Sequence, residues 1–532
     1  MRKRLPASGA RFTARRPSGA VYPSVMRGIA WLPAVAALAC GSVKHDDGGT
    51  DGGGGGGDFA LSAAPESAFV RQGTSIDVEV TVERQGFAGD IEVTAGGLPS
   101  GVTAQPLTIA DGEDSGVLTL EAADDATQGE AAVALTGEAT DGTGGGDLRL
   151  LVAGAPGAYD ESFADGGKLF GTLGFDLFAQ RGIALQPDGK IVGTGSTGDQ
   201  AITYRLDPDG TLDDDFGTGG RVTTGLGEST GGLVPVVLAD GRIVVAGWGG
   251  AGSGYDSALF GYTAAGELDG DFGSSGTVSI SLGTGYDEFH GFVTDPEGGL
   301  LPAGVDFDGS SSTLRRYDGQ GVVDDGYVVE PAASAFVNSA ILQSDGKTVM
   351  VGASGNDFWL ERHLAGGALD DGFDGEGSAT TDMGGTDKAF GVVEVGGGKL
   401  VVGGVSAGMV ALARYNRNGS LDLTFGDAGK VVTAIELDSR GLNALAVDSQ
   451  GRFVLVGFVT SPDRLPAVVR LTAEGEVDES FGDGGQVTLD FGVADAGTAT
   501  SAFGVVIDPD DRIIVASNVG PPEQAGIARL WP

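Results

Sequence analysis

One phrase recurs seven times along the carboxyl-terminal part of this chain, and it limits the fold more than any other feature. It reads YDESFADGG from Tyr159, LDDDFGTGG from Leu212, LDGDFGSSG from Leu268 and, decayed, VDDGY from Val323. It continues as LDDGFDGEG from Leu369, LDLTFGDAG from Leu421 and VDESFGDGG from Val477. The shared aspartates are Asp160, Asp213, Asp269, Asp324, Asp370, Asp422 and Asp478. A second phrase recurs between them: QPDGKIVGTG from Gln186, LADGRIVVAG from Leu238, DPEGGLLPAG from Asp295 and QSDGKTVMVG from Gln343. Degenerate copies lie at Gly397, Asp448 and Asp508. Self-similarity at such a period means one supersecondary unit, stacked.

Each unit offers four short strands. An apolar strand ends at the Asp-Gly turn, and Asp-Gly between two β runs is a strong hairpin signal because glycine accepts the positive φ required. A second strand follows, as in Arg242 to Gly247; a third resembles ALARYNRNG; a fourth follows the LDxxFG phrase, as in GKVVT from Gly429. A sheet of this size leaves much of each face exposed, so radial packing that covers both faces is favoured, and closure into a ring over an open array. The last unit has three strands (FGVVID, RIIVAS and GIARLWP), whereas an unmatched phrase begins at Tyr159, ahead of the first full unit. The expectation is a ring of seven blades, with the strand near Lys168–Thr172 completing the last.

An arginine lies eight residues before the shared aspartate in most units: Arg205 and Asp213, Arg316 and Asp324, Arg362 and Asp370, Arg414 and Asp422, Arg470 and Asp478. Unit two has Gly261 instead, and Arg529 finds its counterpart in Asp160 at the other end of the array. These pairs are expected to join within each blade by charge-assisted hydrogen bonds. The two phrases together resemble the delta-60 repeat of bacterial surface and secreted proteins. That resemblance covers 159–532 and implies a propeller-like all-β array, without specifying an activity.

Before the repeats, Ile76, Val78, Val80 and Val82 alternate with Asp77, Glu79, Thr81 and Glu83, a period of two with one buried and one wet face. With the strands IEVTAGG, GVLTLEA, AAVALTG and DLRLLVA and the turn Gly97–Val102, this region resembles bacterial immunoglobulin-like β-sandwich domains, which serve as stalks or spacers. Further upstream, Gly28 to Ala39 form an apolar run behind Arg27, too short to span a bilayer and suited to a signal peptide. Ala37-Leu38-Ala39-Cys40 resembles the lipobox of bacterial lipoproteins, with Ala37 where that family prefers leucine; the resemblance implies lipidation of Cys40. Cleavage after Ala39 as an ordinary signal peptide is the alternative, and Met26 is an alternative start. The expected organisation is a signal peptide at 1–39, a Gly-rich flexible tether at 40–58, an immunoglobulin-like β-sandwich at 59–153 and a seven-bladed β-propeller at 154–532.

A net charge of −42 repels phosphate backbones and excludes nucleic acid as a natural partner. It also restricts membrane attachment to a lipid anchor. The single cysteine, Cys40, belongs to the export signal, so neither an internal disulfide nor a cysteine nucleophile is available. His290, beside Asp287 and Glu288, is the one candidate for proton transfer, against the plainer reading that it fills a slot of the repeat. His363, on a third strand, reads as blade packing. Asp176, Asp287, Asp387, Asp438 and Asp495 precede innermost strands and form a candidate calcium-binding rim, against the plainer reading that they cap turns. These residues lead to a non-enzymatic cell-envelope lipoprotein, lipid-anchored and exported, monomeric, without cofactor, presenting its propeller to a protein or glycan at the cell surface. A propeller-type hydrolase or metal-dependent lactonase, and a calcium or small-ligand binder, are the alternatives.

Overall fold

The computed structural model describes residues 59–532 apart from 85–87, 141, 172, 174–181, 198, 228, 251–254, 282–286, 307–310, 330–334, 438–441, 461–463, 494–499 and 521–523. The expected signal peptide and tether, with Cys40, therefore lie outside the described residues. The described chain is all-β.

Seven four-stranded antiparallel sheets follow one another as the blades of a propeller. Blades 1 to 6 span 182–224, 229–280, 287–329, 335–381, 387–436 and 442–488. Each is a meander in chain order from the innermost strand outward. Blade 5 shows the pattern: Asp387–Val395, Lys399–Ser406, Met409–Tyr415 and Lys430–Glu436. Blade 7 takes Ser501–Ile507, Ile513–Val519 and Gln524–Leu530 from the end of the array and Lys168–Phe170 from its beginning. Lys168, Leu169 and Phe170 pair antiparallel with Ala528, Ile527 and Gly526, so the ring closes as its repeats require.

The reason for a ring is visible in its packing. Each seam between neighbouring blades holds its own hydrophobic cluster, and blade 7 meets blade 1 through one as well. The inner three strands are buried along nearly their whole length, as in Ala201–Leu206, the third strand of blade 1, and Ile513–Val519, the second strand of blade 7. Apolar surface on both faces of each sheet is thus removed from water, at about 25 cal/mol per Å². Blade 3 departs from the pattern where its phrase has decayed. Without the xxFGxxG turn, Val323–Val329 runs directly as the outermost strand, with Tyr317 paired to Val323.

Residues 59–153 form one nine-stranded sheet wrapped round its own core. Phe59–Ala64 pairs antiparallel with Ser75–Arg84 and, at its start, parallel with Gly142–Ala153. Ser67–Arg71 then runs parallel to that same strand. The first strand therefore bridges the two halves of the sheet, between Ser75–Arg84 and Gly142–Ala153. Val78, Val80 and Val82 are buried, and Asp77, Glu79 and Glu83 exposed, as their alternation dictates. Gly101, at φ +82°, turns the chain where a Cβ would sit 2.6 Å from the backbone of Ala126.

Candidate functional site

The recurring arginine and aspartate meet in five blades. The Nε–Oδ2 distance is 2.5 Å for Arg205 and Asp213, 2.8 Å for Arg362 and Asp370, and 2.7 Å for Arg414 and Asp422. It is 2.9 Å for Arg470 and Asp478, and 2.7 Å for Arg529 and Asp160, which lie 369 residues apart. The other carboxylate oxygen caps the following turn, as Asp422 Oδ1 does by accepting from Thr424 N. The phenylalanine of the phrase lies under the guanidinium: Phe216, Phe373, Phe425, Phe481 and Phe163 sit 4.4–4.7 Å from the cation they face.

Two further features of this latch escaped the sequence reading. The basic residue after the Asp-Gly turn adds a second cation: Lys190 reaches Asp213 at 2.7 Å, Lys347 reaches Asp370 at 3.0 Å and Lys399 reaches Asp422 at 2.8 Å. Its constant place in QPDGK-like phrases was the available signal. The arginine Nη1 also donates to a carbonyl of the next blade: Arg205 to Ala264, Arg362 to Arg417, Arg414 to Ala473 and Arg529 to Pro208. The latch therefore fastens blades to one another as well as each blade to itself. Blade 2 has Gly261 because the Phe272 ring would lie 2.3 Å from any Cβ there. Arg242 takes over, reaching Asp269 and the Gly319 carbonyl. In blade 3 the expected pair is replaced: Arg316 bonds Asp295 at 2.7 Å and stands 3.6 Å from Asp324.

The electrostatics match a structural role. Lys399 and Thr424, with Arg414, hold the Asp422 carboxyl well below the usual range. Burial pushes Asp213 and Asp370 upward, but the lysine and arginine beside each outweigh it and leave both lowered. In blade 6, burial and then Arg452 bring Arg470 down to about 10.

The histidines occupy slots of the repeat. Every described innermost strand from blade 2 to blade 7 carries a β-bulge, at Leu233, His290, Asn338, Phe390, Asn443 and Phe503. Where the bulged residue is polar it reaches the next blade. His290 Nδ1 donates to Val337 O at 3.3 Å, and Asn338 Nδ2 to Ala389 O at 2.8 Å. Asn443 Nδ2 donates to Ala502 O. His363 Nε2 and Nδ1 meet Glu361 Oε1 at 2.8 Å and Gly367 O at 3.1 Å, inside its own blade.

Of the aspartates placed before innermost strands, Asp176, Asp438 and Asp495 lie outside the described residues, as does the Glu288 side chain. Asp287 and Asp387 are fully buried first residues of their strands. Counted from the bulge, their register is held by Thr230, Ala335 and Thr500 in other blades, so the described rim is not a uniform circle of carboxylates. Asp387 does cap a turn, accepting Met383 N on Oδ2 at 2.7 Å, and Thr230 Oγ1 does the same for Leu226 N. Asp387 also has company that sequence spacing did not reveal. One carboxylate oxygen each from Asp357, Asp382 and Asp387 lies within 4.8 Å of the others. Asp357 starts the third strand of blade 4, and Asp382 directly follows its outermost strand, paired beside it.

The opposite ends of the strands, where the Asp-Gly turns lie, meet the amino-terminal unit at blade 7. Arg149 grips Asp510 with both Nη atoms at 2.9 and 2.8 Å and Glu130 through Nε and Nη2 at 2.7 and 2.8 Å. Arg71 donates to Gly154 O and Pro532 O. Trp531, fully buried, packs with Leu151 and Ala153 and donates to Gln128 Oε1 at 2.7 Å.

The family described as "domain of unknown function (DUF5122) beta-propeller" matches residues 186–216, 238–272 and 398–425. Each match runs from the hairpin turn of a blade (1, 2 and 5) to the phenylalanine of its phrase. No curated protein sequence matches the chain. Among solved structures, a quinonprotein alcohol dehydrogenase-like protein from Bacteroides thetaiotaomicron is 13% identical over 80% of this chain and 95% of its own, with a TM-score of 0.36. The Nup133 β-propeller domain of Vanderwaltozyma polyspora is 8% identical over 66% and 96%, with a TM-score of 0.38. Prolyl oligopeptidase B from Galerina marginata is 11% identical over 65% and 55%, with a TM-score of 0.31.

Proposed function

We propose that this chain is an exported, lipid-anchored envelope protein in which an immunoglobulin-like stalk holds a non-catalytic propeller and offers one of its faces to a surface protein or glycan. The observation that carries this reading is the docking of residues 59–153 on the Asp-Gly-turn face through Arg149, Arg71 and Trp531. A stalk fixed there leaves the other face, where the third strands begin, directed away from the attachment point. The immunoglobulin-like assignment is supported by a first strand that bridges the two halves of the sheet and by its parallel pairing with the last. Anchoring rests on the apolar run before Cys40 and the Gly-rich segment after it. The repeated latch residues supply structure in blade after blade, and His290 is engaged in the same manner as two asparagines, which supports a binding scaffold over an enzyme.

The full chain produced in a bacterium fed labelled palmitate should carry the label and sediment with membranes, and Cys40→Ser should lose both. An unlabelled full chain would remove the anchor. A photo-crosslinker at exposed Asn356, on the distal face, should capture envelope partners that one at exposed Glu267, on the stalk face, does not. Equal capture from both positions would remove the assignment of the face.

A further inference from the structure

We infer that Asp357, Asp382 and Asp387 form a binding site for a hard divalent cation, Ca2+ before Mg2+, at the seam of blades 4 and 5. Three carboxylate oxygens within 4.8 Å of one another are held there by two strand starts and by the residue directly after a strand end. The decisive member is Asp387, fully buried, whose Oδ1 has no hydrogen-bond partner. Capping the turn does not require it: Thr230 accepts the equivalent backbone N–H in blade 2 with one uncharged oxygen. The aspartate adds a charge and a spare buried oxygen, a costly exchange unless something positive uses them.

No side-chain cation does so. Among the described residues none of the three carboxylates forms an ion pair, and Lys430 donates to the Asp382 carbonyl. Three like charges this close repel, and an oxygen-only donor set suits a hard ion. The carboxylates come from separate segments in irregular array, which suits Ca2+, whereas Mg2+ demands near-octahedral geometry and keeps its water. The seam of blades 2 and 3 provides an internal comparison. Asp256 and Asp287 recur there at the same registers, but Ser281 stands where Asp382 stands, so the third carboxylate is missing.

The inference is independent of the lipid anchor and of the choice of partner face. Its test uses the full chain after chelation, with Tb3+ luminescence excited through tryptophan, since Trp359 lies two residues from Asp357 on the same strand. Displacement by Ca2+ should show one saturable site of roughly submillimolar Kd, above the diffuse binding expected of a chain of charge −42. Asp387→Thr keeps the turn contact seen at Thr230 and should abolish that site without lowering the melting temperature of the metal-free protein by more than a few degrees. Asp382→Asn should weaken it at least roughly tenfold, and Asp256→Asn should leave it unchanged. An absent saturable phase, or one that survives both Asp387→Thr and Asp382→Asn, overturns the site. Mg2+ displacing Tb3+ as well as Ca2+ does overturns the choice of ion.

Discussion

A carboxylate placed between a lysine and an arginine is worth most when water cannot reach it, and Asp422 illustrates the balance. Its side chain is 5% exposed, Arg414 is 18% exposed and Lys399 is 36% exposed. Asp422→Asn should cost about 2 kcal/mol, between the values for exposed and buried pairs, measured by urea unfolding near neutral pH. The pH dependence has a definite sign. Asp213, Asp370 and Asp422 are all lowered in the folded state. Their contribution is complete above the unfolded carboxyl value of about 4 and drains away as pH falls below it. Urea midpoints should therefore decline steeply below about pH 4, and the decline should be shallower in Asp422→Asn, which has less to lose. His290 calls for the opposite expectation. Since Asn338 and Asn443 make the same bond to the next blade, His290→Asn should change stability by less than about 1 kcal/mol, whereas His290→Ala loses both that bond and the ring's contact with Phe336 and should cost about 1–3 kcal/mol.

The strand Lys168–Phe170 contributes only three residues to blade 7, so its neighbours must hold it in place. Arg529 and Asp160 do so from opposite ends of the array, with side chains 4% and 0% exposed. Asp160→Ala should cost about 3–5 kcal/mol and should accelerate amide exchange in Gln524–Leu530 and Lys168–Phe170 together. Asp478→Ala removes a pair closed within blade 6, so exchange in blade 7 should stay slow; acceleration there in both variants would contradict a closing role peculiar to Asp160. The closing strand was legible in the sequence because it is announced by Gly, Asp and Arg, residues whose chemistry admits few substitutes at a turn or a buried pair. The bulges were not. Leu233, His290, Asn338, Phe390, Asn443 and Phe503 share a backbone geometry and no side-chain chemistry, so no phrase marks them. Asp357, Asp382 and Asp387 were hidden for a related reason: strand register brings them together, and only Asp387 stood in a position that the repeat picks out. In blade 3 the decayed phrase did foretell a change, and the strand Val323–Val329, whose register shifts against Arg315 and Tyr317, is its consequence.

At the scale of the molecule, the amino-terminal unit docks where the ring closes, on the blade assembled from both ends of the repeat array. Trp531 follows the strand that pairs with Lys168–Phe170, and it is covered by Leu151 and Ala153 with Phe69 packed alongside. Arg149 spans the contact by holding Asp510, in the hairpin turn of the same blade, and Glu130 on its own side. Ring and amino-terminal unit therefore share buried groups, and groups in direct contact do not contribute independently. Calorimetry of residues 59–532 should show one transition in which both units unfold together. Trp531→Ala removes the buried indole at about 3–5 kcal/mol and Arg149→Ala removes the fork; the double variant should separate the endotherm into two, with blade 7 amides exchanging first. Two resolved transitions in the unaltered protein would mean that the amino-terminal unit merely touches the propeller, and the closing blade would then owe its stability to the Arg529–Asp160 pair and the hydrophobic seams alone.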